Sequence, residues 1–262
     1  MKMGNQGDHL ENSGSDWKIL YKIGGVAALL AGIIFRRNLA AEISLFSARG
    51  QPETISDWFT LLQDNKLLGL AYLNLFDLLN YALLILMYLA LFAALKRINR
   101  NLMLVATCLA IIGITVFFAS NTAFSMLALS DQYANATTEA EKAYLLVAGQ
   151  ALLVVNRFSS PDAHPGTAGF ISLLLIAGAG MITSFVMLCS AIFNRVTAIV
   201  GILASALDLA YCFAFVFLPD VDTETLALLF IPAAGLFLMI WHILVGWRLF
   251  KLGKKASLQK TS

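Results

Sequence analysis

The sequence predicts an all-α fold, a polytopic membrane helix bundle with six transmembrane helices and one additional short helix. Of the 262 residues, 59% are hydrophobic and only 13% are charged, whereas soluble domains carry about 25% charged residues. Six apolar runs are each long enough to cross a bilayer, which takes about 20 residues. These runs are continuous rather than alternating, which excludes the strands of a membrane barrel.

The runs divide the chain into three parts. Residues 1–16 are polar and are expected to be disordered at the cytoplasmic face, and residues 253–262 are expected to form a basic cytoplasmic tail. Between them, residues 17–252 form a single transmembrane domain. The six spans are predicted at about 19–46, 67–95, 102–129, 170–193, 196–218 and 226–249.

One further apolar segment, at 143–155, follows the charged residues Glu139, Glu141 and Lys142. It is too short to cross a bilayer comfortably, and segments of this length are typical of interfacial or re-entrant helices. We therefore expect a short helix at about 139–158, and the sequence leaves open which of the two kinds it is.

The distribution of basic residues predicts the orientation. With six spans, twelve of the 18 Lys and Arg residues fall on the side of the two termini. Basic residues are enriched on the cytoplasmic side of membrane proteins. We therefore expect a bacterial-type cytoplasmic membrane with both termini in the cytoplasm. A seventh span at 143–155 would reverse this bias.

A few polar and charged residues interrupt the spans at similar predicted depths. A helix rises about 1.5 Å per residue. Counted from the basic residues at the cytoplasmic ends, Arg36 and Asp208 lie roughly 20 Å deep, and Asp77 and Asn121 roughly 30 Å. All fall in the outer half of the membrane. The predicted ligand-binding residues are Arg36, Arg37, Asn74, Asp77, Asn121 and Asp208.

Charged side chains in this position have two interpretations. A charge at the centre of a membrane helix costs at least about 2.5–3.5 kcal/mol, so Asp208 is expected to face the bundle interior, to pair with a cation or to be protonated. Arg36 or Arg37 would be a suitable partner, because a guanidinium binds a carboxylate through two parallel hydrogen bonds. The cluster is then either a structural ion-pair network or an outward-opening pocket for a small anion, a lipid head group or a proton.

Small residues spaced four apart mark helix faces that can pack closely. The same spacing is compatible with a homodimer interface. These positions are Gly24, Ala28 and Gly32 in the first span, Gly180 and Ser184 in the fourth, and Gly201 and Ser205 in the fifth.

The sequence contains no hydrolase, metalloprotease or nucleotide-binding motif. Cys108, Cys189 and Cys212 lie separately within apolar runs, a pattern that argues against disulfides and zinc sites. The net charge of +2 is too small to indicate nucleic-acid binding. We therefore predict no catalytic residues, no metal site and no cofactor.

The order of features resembles an uncharacterised family of bacterial six-span integral membrane proteins, known as a domain of unknown function. The resemblance covers most of residues 18–252 and implies the six-span topology, but it implies no activity. The residues that carry it are Lys22, Ile23, Gly24, Gly25, Val26 and Ala27, then Asp77, then Phe193, Asn194, Arg195 and Val196, and finally Pro232, Ile240, Trp241, His242 and Gly246.

The working hypothesis is a non-enzymatic membrane protein whose polar cluster binds a small or amphiphilic ligand, in a transport-related or sensory role. Its expected partners are the lipid bilayer and a lipid or small-molecule ligand. Two alternatives remain open. One is an intramembrane enzyme that uses Asp77 or Asp208 as an acid or base, and the other is a structural or assembly subunit with a closed, dry bundle.

Overall fold

The computed structural model describes residues 17–34, 52–155, 166–218 and 223–258. Over these ranges the secondary structure is helical, without strands. The helices are α1 (Trp17–Ile34), α2 (Ile55–Asp64), α3 (Lys66–Tyr72), α4 (Leu75–Leu95), α5 (Arg100–Ser120), α6 (Ala123–Asn135), α7 (Glu139–Val155), α8 (Thr167–Leu188), α9 (Arg195–Phe217) and α10 (Thr223–Leu258).

Six helical segments in the described ranges are long and apolar enough to cross a membrane, which confirms the predicted six-span bundle. They are α1, α4, α5 with its continuation into α6, α8, α9 and most of α10. We call the end of the bundle where α1 begins the proximal end. The end where α4 begins is the distal end.

The six spanning helices form a closed ring. Helix α4 packs on α5, α5 on α8, α8 on α9, and α9 on α10. Helix α1 completes the ring between α4 and α10. A Cβ atom on Gly24 would lie 2.9 Å from the Leu86 carbonyl oxygen of α4, and one on Gly25 would lie 2.7 Å from Phe250 N of α10. The first span is therefore an integral part of the bundle.

The contact between α8 and α9 depends on small residues that face each other. A Cβ atom on Gly180 would lie 2.6 Å from Ser205 Oγ, and one on Gly201 would overlap Ser184 Oγ and the Trp241 indole. The two pairs lie in antiparallel register, with Gly180 opposite Ser205 and Ser184 opposite Gly201. The close packing predicted from the four-residue spacing is confirmed for this pair of helices.

Two of the predicted spans are interrupted near the distal end. The segment predicted at 67–95 consists of α3 and α4, separated at Leu73 and Asn74, where Asn74 has φ 66°. The segment predicted at 102–129 ends as a regular helix at Ser120, because Asn121 is extended with ψ 126°. Apolar residues lie on both sides of each break, so hydropathy alone does not reveal it.

Other boundaries differ less. Helix α8 ends at Leu188 and α9 begins at Arg195, close to the predicted limits. Helix α10 continues to Leu258, so the segment predicted as a basic tail begins as helix. The outer part of the first predicted span, 39–46, lies outside the described residues, as do the predicted disordered residues 1–16.

The short helices α2, α3, α6 and α7 form a distal cap with its own apolar core. Phe59 of α2 is central to this core, since its ring contacts Tyr133 of α6 at 5.2 Å between centroids and it lies against Gly149 of α7. The buried core residues are Ile55, Trp58, Phe59, Leu62, Leu70, Leu73, Ala123 and Met126. The short helix predicted at 139–158 is α7, and it packs on α2 and α6.

Polar contacts fasten the cap together. Gln63 Nε2 of α2 donates to Ser130 Oγ at 2.7 Å and to Asp131 Oδ1 at 3.1 Å, and Lys66 of α3 forms an ion pair with Asp131 at 3.4 Å. Thr122 Oγ1 donates to the Leu152 carbonyl oxygen of α7 at 3.2 Å. The cap joins α4 and α5 at the two helix breaks, at Leu73 and Asn74 and at Asn121.

The α8–α9 contact predicts a large effect of a side chain at Gly201. We expect Gly201→Val to destabilise the protein by about 1–3 kcal/mol, because its methyl groups would displace the buried Trp241 ring. Thermal unfolding in detergent micelles measures the change.

The matched control for this substitution is Gly178→Val on α8, where a Cβ atom meets nothing within 4 Å. Both variants place the same β-branched residue in a spanning helix, so the helix propensities match. Equal unfolding temperatures of the two variants would contradict the packing described for α8 and α9.

The first turn of α2 is closed by a capping box. Thr54 Oγ1 and Thr54 N donate to Asp57 Oδ2 at 2.7 and 3.0 Å, and these hydrogen bonds lower the pKa of the Asp57 carboxyl. The ionised Asp57 carboxylate therefore stabilises the capping box of α2 at pH values above the ordinary Asp pKa of about 3.9. This contribution is lost as the pH falls through the lowered pKa of Asp57.

We expect Thr54→Val to raise the pKa of Asp57 toward 3.9, because it removes the hydroxyl donor. An NMR titration of ¹³C-labelled aspartate carboxyl groups measures this. Thr60→Val is the control, since Thr60 Oγ1 donates to the Ser56 carbonyl oxygen. An unchanged Asp57 pKa in Thr54→Val would refute the capping role.

Candidate functional site

Four of the six predicted ligand-binding residues lie in the described part of the chain. Asn74, Asp77 and Asn121 lie where α4 begins and α5 ends, and Asp208 lies in the middle of α9. Arg36 and Arg37 lie outside the described residues. The guanidinium partner predicted for Asp208 therefore stays a prediction.

Asn121 joins the two helix breaks. Its Nδ2 donates to the Leu73 carbonyl oxygen at 3.2 Å, and its Oδ1 accepts from Ala123 N at 3.1 Å. The first bond satisfies a carbonyl group at the end of α3, and the second satisfies an amide at the start of α6. A single side chain thus replaces two hydrogen bonds that continuous helices would have made.

Asn74 occupies the turn between α3 and α4. It is buried and has φ 66° and ψ 31°, the left-handed region that asparagine enters more readily than most residues. This conformation interrupts the right-handed helical backbone for one residue, so a new helix, α4, begins at Leu75. Asp77 then lies in the first turn of α4, where a carboxylate is favoured by the helix dipole.

Asp77 and Asp208, which the depth arithmetic places in the same half of the membrane, lie near one tyrosine. Tyr81 of α4 is within electrostatic reach of both carboxyl groups, and Tyr88 is within reach of Asp208. Helices α4 and α9 are not adjacent in the ring. Tyr81 therefore lies within electrostatic reach of a carboxyl group across the ring.

The surroundings of Tyr81 combine aromatic and polar groups. Its ring packs edge-on against Phe117 of α5, with 4.4 Å between centroids. One residue before it, Asn80 is 1% exposed, and no described group forms a hydrogen bond with its Oδ1. Unsatisfied buried polar atoms are rare in folded proteins. The Asn80 amide oxygen can therefore accept a hydrogen bond from a further polar group.

Further polar side chains continue from this cluster toward the centre of the ring. Tyr88 is 2% exposed, and its hydroxyl oxygen lies 3.6 Å from the position of a Cβ atom on Gly180, beside Ser205. Ser184 and Trp241 follow against Gly201. No described group bonds the Ser184 hydroxyl or the Trp241 indole N–H. These polar side chains lie within a bundle core of mostly apolar residues.

Tyr81 and Tyr88 belong to the cluster, but the sequence reasoning did not select them. They lie four and eleven residues after Asp77, positions that share one face of a helix. This helical spacing from Asp77 is the feature of the sequence that indicates the two tyrosines. An aromatic residue in a span is usually explained by packing, so only the proximity of Asp208 separates these two tyrosines from the other aromatic residues.

The described ranges contain no group of three or more His, Cys, Asp or Glu side chains arranged to hold a metal ion. His242 is buried beside Trp241, 5.5 Å between ring centroids, and lies near Gly32 of α1. The chemistry available at the distal cluster is therefore that of carboxyl, amide and phenol groups.

A family model for a domain of unknown function, DUF4386, matches residues 19–251, a range that overlaps all six spanning segments. The chain belongs to the DUF4386 family. No curated protein and no solved structure matches it. The resemblance to uncharacterised six-span membrane proteins is thus confirmed. Because the DUF4386 description assigns no activity, any functional conclusion must come from the site.

In this DUF4386 member we expect Asn121→Ala to lower stability by about 1–3 kcal/mol, because it leaves the Leu73 carbonyl and the Ala123 amide without these partners. Chemical unfolding in micelles, followed by circular dichroism, measures the loss.

Asn135→Ala supplies the control, since Asn135 Nδ2 also bonds a carbonyl oxygen, that of Asp131, at 2.7 Å but in an exposed position. Equal stabilities of the two alanine variants would show that the bridge between the helix breaks contributes nothing.

Proposed function

We propose that this protein binds a small or amphiphilic ligand at the distal polar cluster, in a transport-related or sensory role. The observation that carries the proposal is the pair of helix breaks that Asn121 bonds to each other beside Asp77, with Asp77 and Asp208 both within electrostatic reach of Tyr81. Ionisable residues within membrane helices are expensive and typically mark ligand or ion pathways.

The chemistry of the cluster favours a polar or charged head group. Carboxylates accept hydrogen bonds, and the Tyr81 hydroxyl both donates and accepts. Asn80 adds a buried amide oxygen. Arg36 and Arg37, predicted at similar depth, would supply donors for a carboxylate or phosphate group. Such a set suits a ligand with a polar head, and the apolar spans around it suit a hydrophobic tail.

The helix breaks at Asn74 and Asn121 also support a binding role. Within a membrane, irregular backbone is tolerated only where it is buried in protein or lines a water-filled cavity. Transporter sites are commonly built at such interruptions, where helix ends face the substrate. Here the two breaks lie side by side and are bonded to each other next to Asp77.

The proposed setting is a bacterial-type cytoplasmic membrane with both termini in the cytoplasm and the distal cluster facing outward. The excess of Lys and Arg at the proximal end supports this orientation. A ligand would then reach Asp208 from outside the cell.

Cysteine accessibility tests both the pocket and its orientation. In a variant with Cys108, Cys189 and Cys212 replaced by alanine, we expect Asp208→Cys to react with a membrane-impermeant methanethiosulfonate added to intact cells. The reason is that a water-filled pocket would ionise and expose the thiol. Mass spectrometry of the purified protein measures the adduct.

The matched control is Phe213→Cys, also on α9 but 57% exposed on the lipid-facing surface, where a thiol should stay unreactive. Asp77→Cys provides a second variant of the cluster should Asp208→Cys fail to fold. Protection of both cluster cysteines from either side of the membrane would refute the pocket and favour a structural subunit. Labelling only from the cytoplasmic side would refute the orientation.

A further inference from the structure

A groove of about 330 Å³ lies between α1 and α4 on the outer surface of the ring. It extends from Lys22 near the proximal end toward the middle of the bundle. Its walls are apolar, and a single charged residue stands at its proximal mouth. The residues that define it are Lys22, Ile23, Val26, Leu30, Leu83 and Leu86.

The groove follows from how α1 meets α4. The two helices are in backbone contact at Gly24, and Tyr21 Oη donates to the Ala93 carbonyl oxygen at 3.3 Å. Beside this contact, the exposed side chains of Val26 and Leu30 leave a crevice along the helices. From Lys22 to Leu30 it extends about 12 Å, the rise of eight helical residues.

Lys22 is the charged residue among those that line the groove. Its aliphatic stem lies against Gly253 of α10, since a Cβ atom there would be 2.7 Å from Lys22 Cγ. The ammonium group is exposed, and no described carboxyl group lies within ion-pair distance of it. A lysine of this kind extends its charge to the head-group level while its stem stays in an apolar contact.

The other charges at the proximal end have the same sign. The neighbouring basic residue Lys96 lies 3.6 Å over the Trp17 ring, and Arg97 is within electrostatic reach of Tyr21. Over the described ranges, the proximal ends of the helices carry basic residues and no acidic residue. The basic residues of this described surface attract anionic head groups.

We infer that the α1–α4 groove binds an anionic phospholipid of the proximal leaflet, with an acyl chain along the groove and the phosphate on Lys22. A second copy of the chain is a poorer occupant, because a two-fold contact here would bring two basic surfaces together. The lipid site does not depend on the ligand proposed for the distal cluster.

Native mass spectrometry of the delipidated full-length protein with dioleoyl phosphatidylglycerol tests this site. We expect Lys22→Gln to weaken binding about tenfold, because a charge-assisted hydrogen bond to phosphate is lost. Lys251→Gln is the matched control, since it removes the same charge at the same end outside the groove, where Lys251 lies over the Trp247 ring.

A second pair of variants tests the apolar part of the site with all basic residues intact. Val26→Phe fills the groove and is expected to weaken binding of the same lipid. Val105→Phe places the same ring on the exposed surface of α5 and should leave binding unchanged. Both positions are exposed in the described bundle, so folding should be preserved, and thermal unfolding checks this.

Each remaining outcome overturns the inference. Equal losses in Lys22→Gln and Lys251→Gln would show general attraction to a basic surface instead of a site. Unchanged binding in Val26→Phe would show that the groove holds no acyl chain. Dioleoyl phosphatidylcholine binding as tightly as the phosphatidylglycerol would show that the head-group charge is not recognised.

Discussion

Close contact at small residues is the constraint on which the rest of this bundle depends. Between helices in lipid there is no hydrophobic driving force, so association relies on tight packing and interhelical hydrogen bonds. Gly25 meets the Phe250 backbone, Gly180 meets Ser205, and Gly201 meets Ser184 and Trp241. These contacts close the ring of spanning helices. The closed ring allows Tyr88, Asp208 and other polar side chains to lie away from lipid.

The cap of α2, α3, α6 and α7 lies at the distal end of the ring. The loop segments before α4 and after α5 fold into the cap, whose core around Phe59 is apolar and largely separate from the ring. The cap meets the ring where α4 and α5 are interrupted, and Asn121 bonds the two interruptions to each other. Asp77 lies at this junction, in the first turn of α4, and Tyr81 follows one helical turn later.

The sequence predicts the parts of this architecture that depend on local properties. Continuous apolar runs predict the spans, and the four-residue spacing at Gly180 and Gly201 predicts the α8–α9 contact. The breaks at Asn74 and Asn121 were not predictable in this way, because they depend on a hydrogen bond between residues 48 positions apart. The roles of Tyr81 and Tyr88 were also missed, because they follow from the distance across the ring to Asp208. Local patterns carry no information about that distance.

The central claim is that the ring holds a ligand-accessible polar cluster at its distal end. A cryo-electron microscopy structure of the protein, isolated in lipid nanodiscs directly from cell membranes, tests it most directly. The account predicts a passage from the distal surface to Asp208, with ordered non-protein density against Asp208 and Tyr81. A closed ring in which Asp77 and Asp208 contact only protein groups, with no passage to either surface, would contradict it.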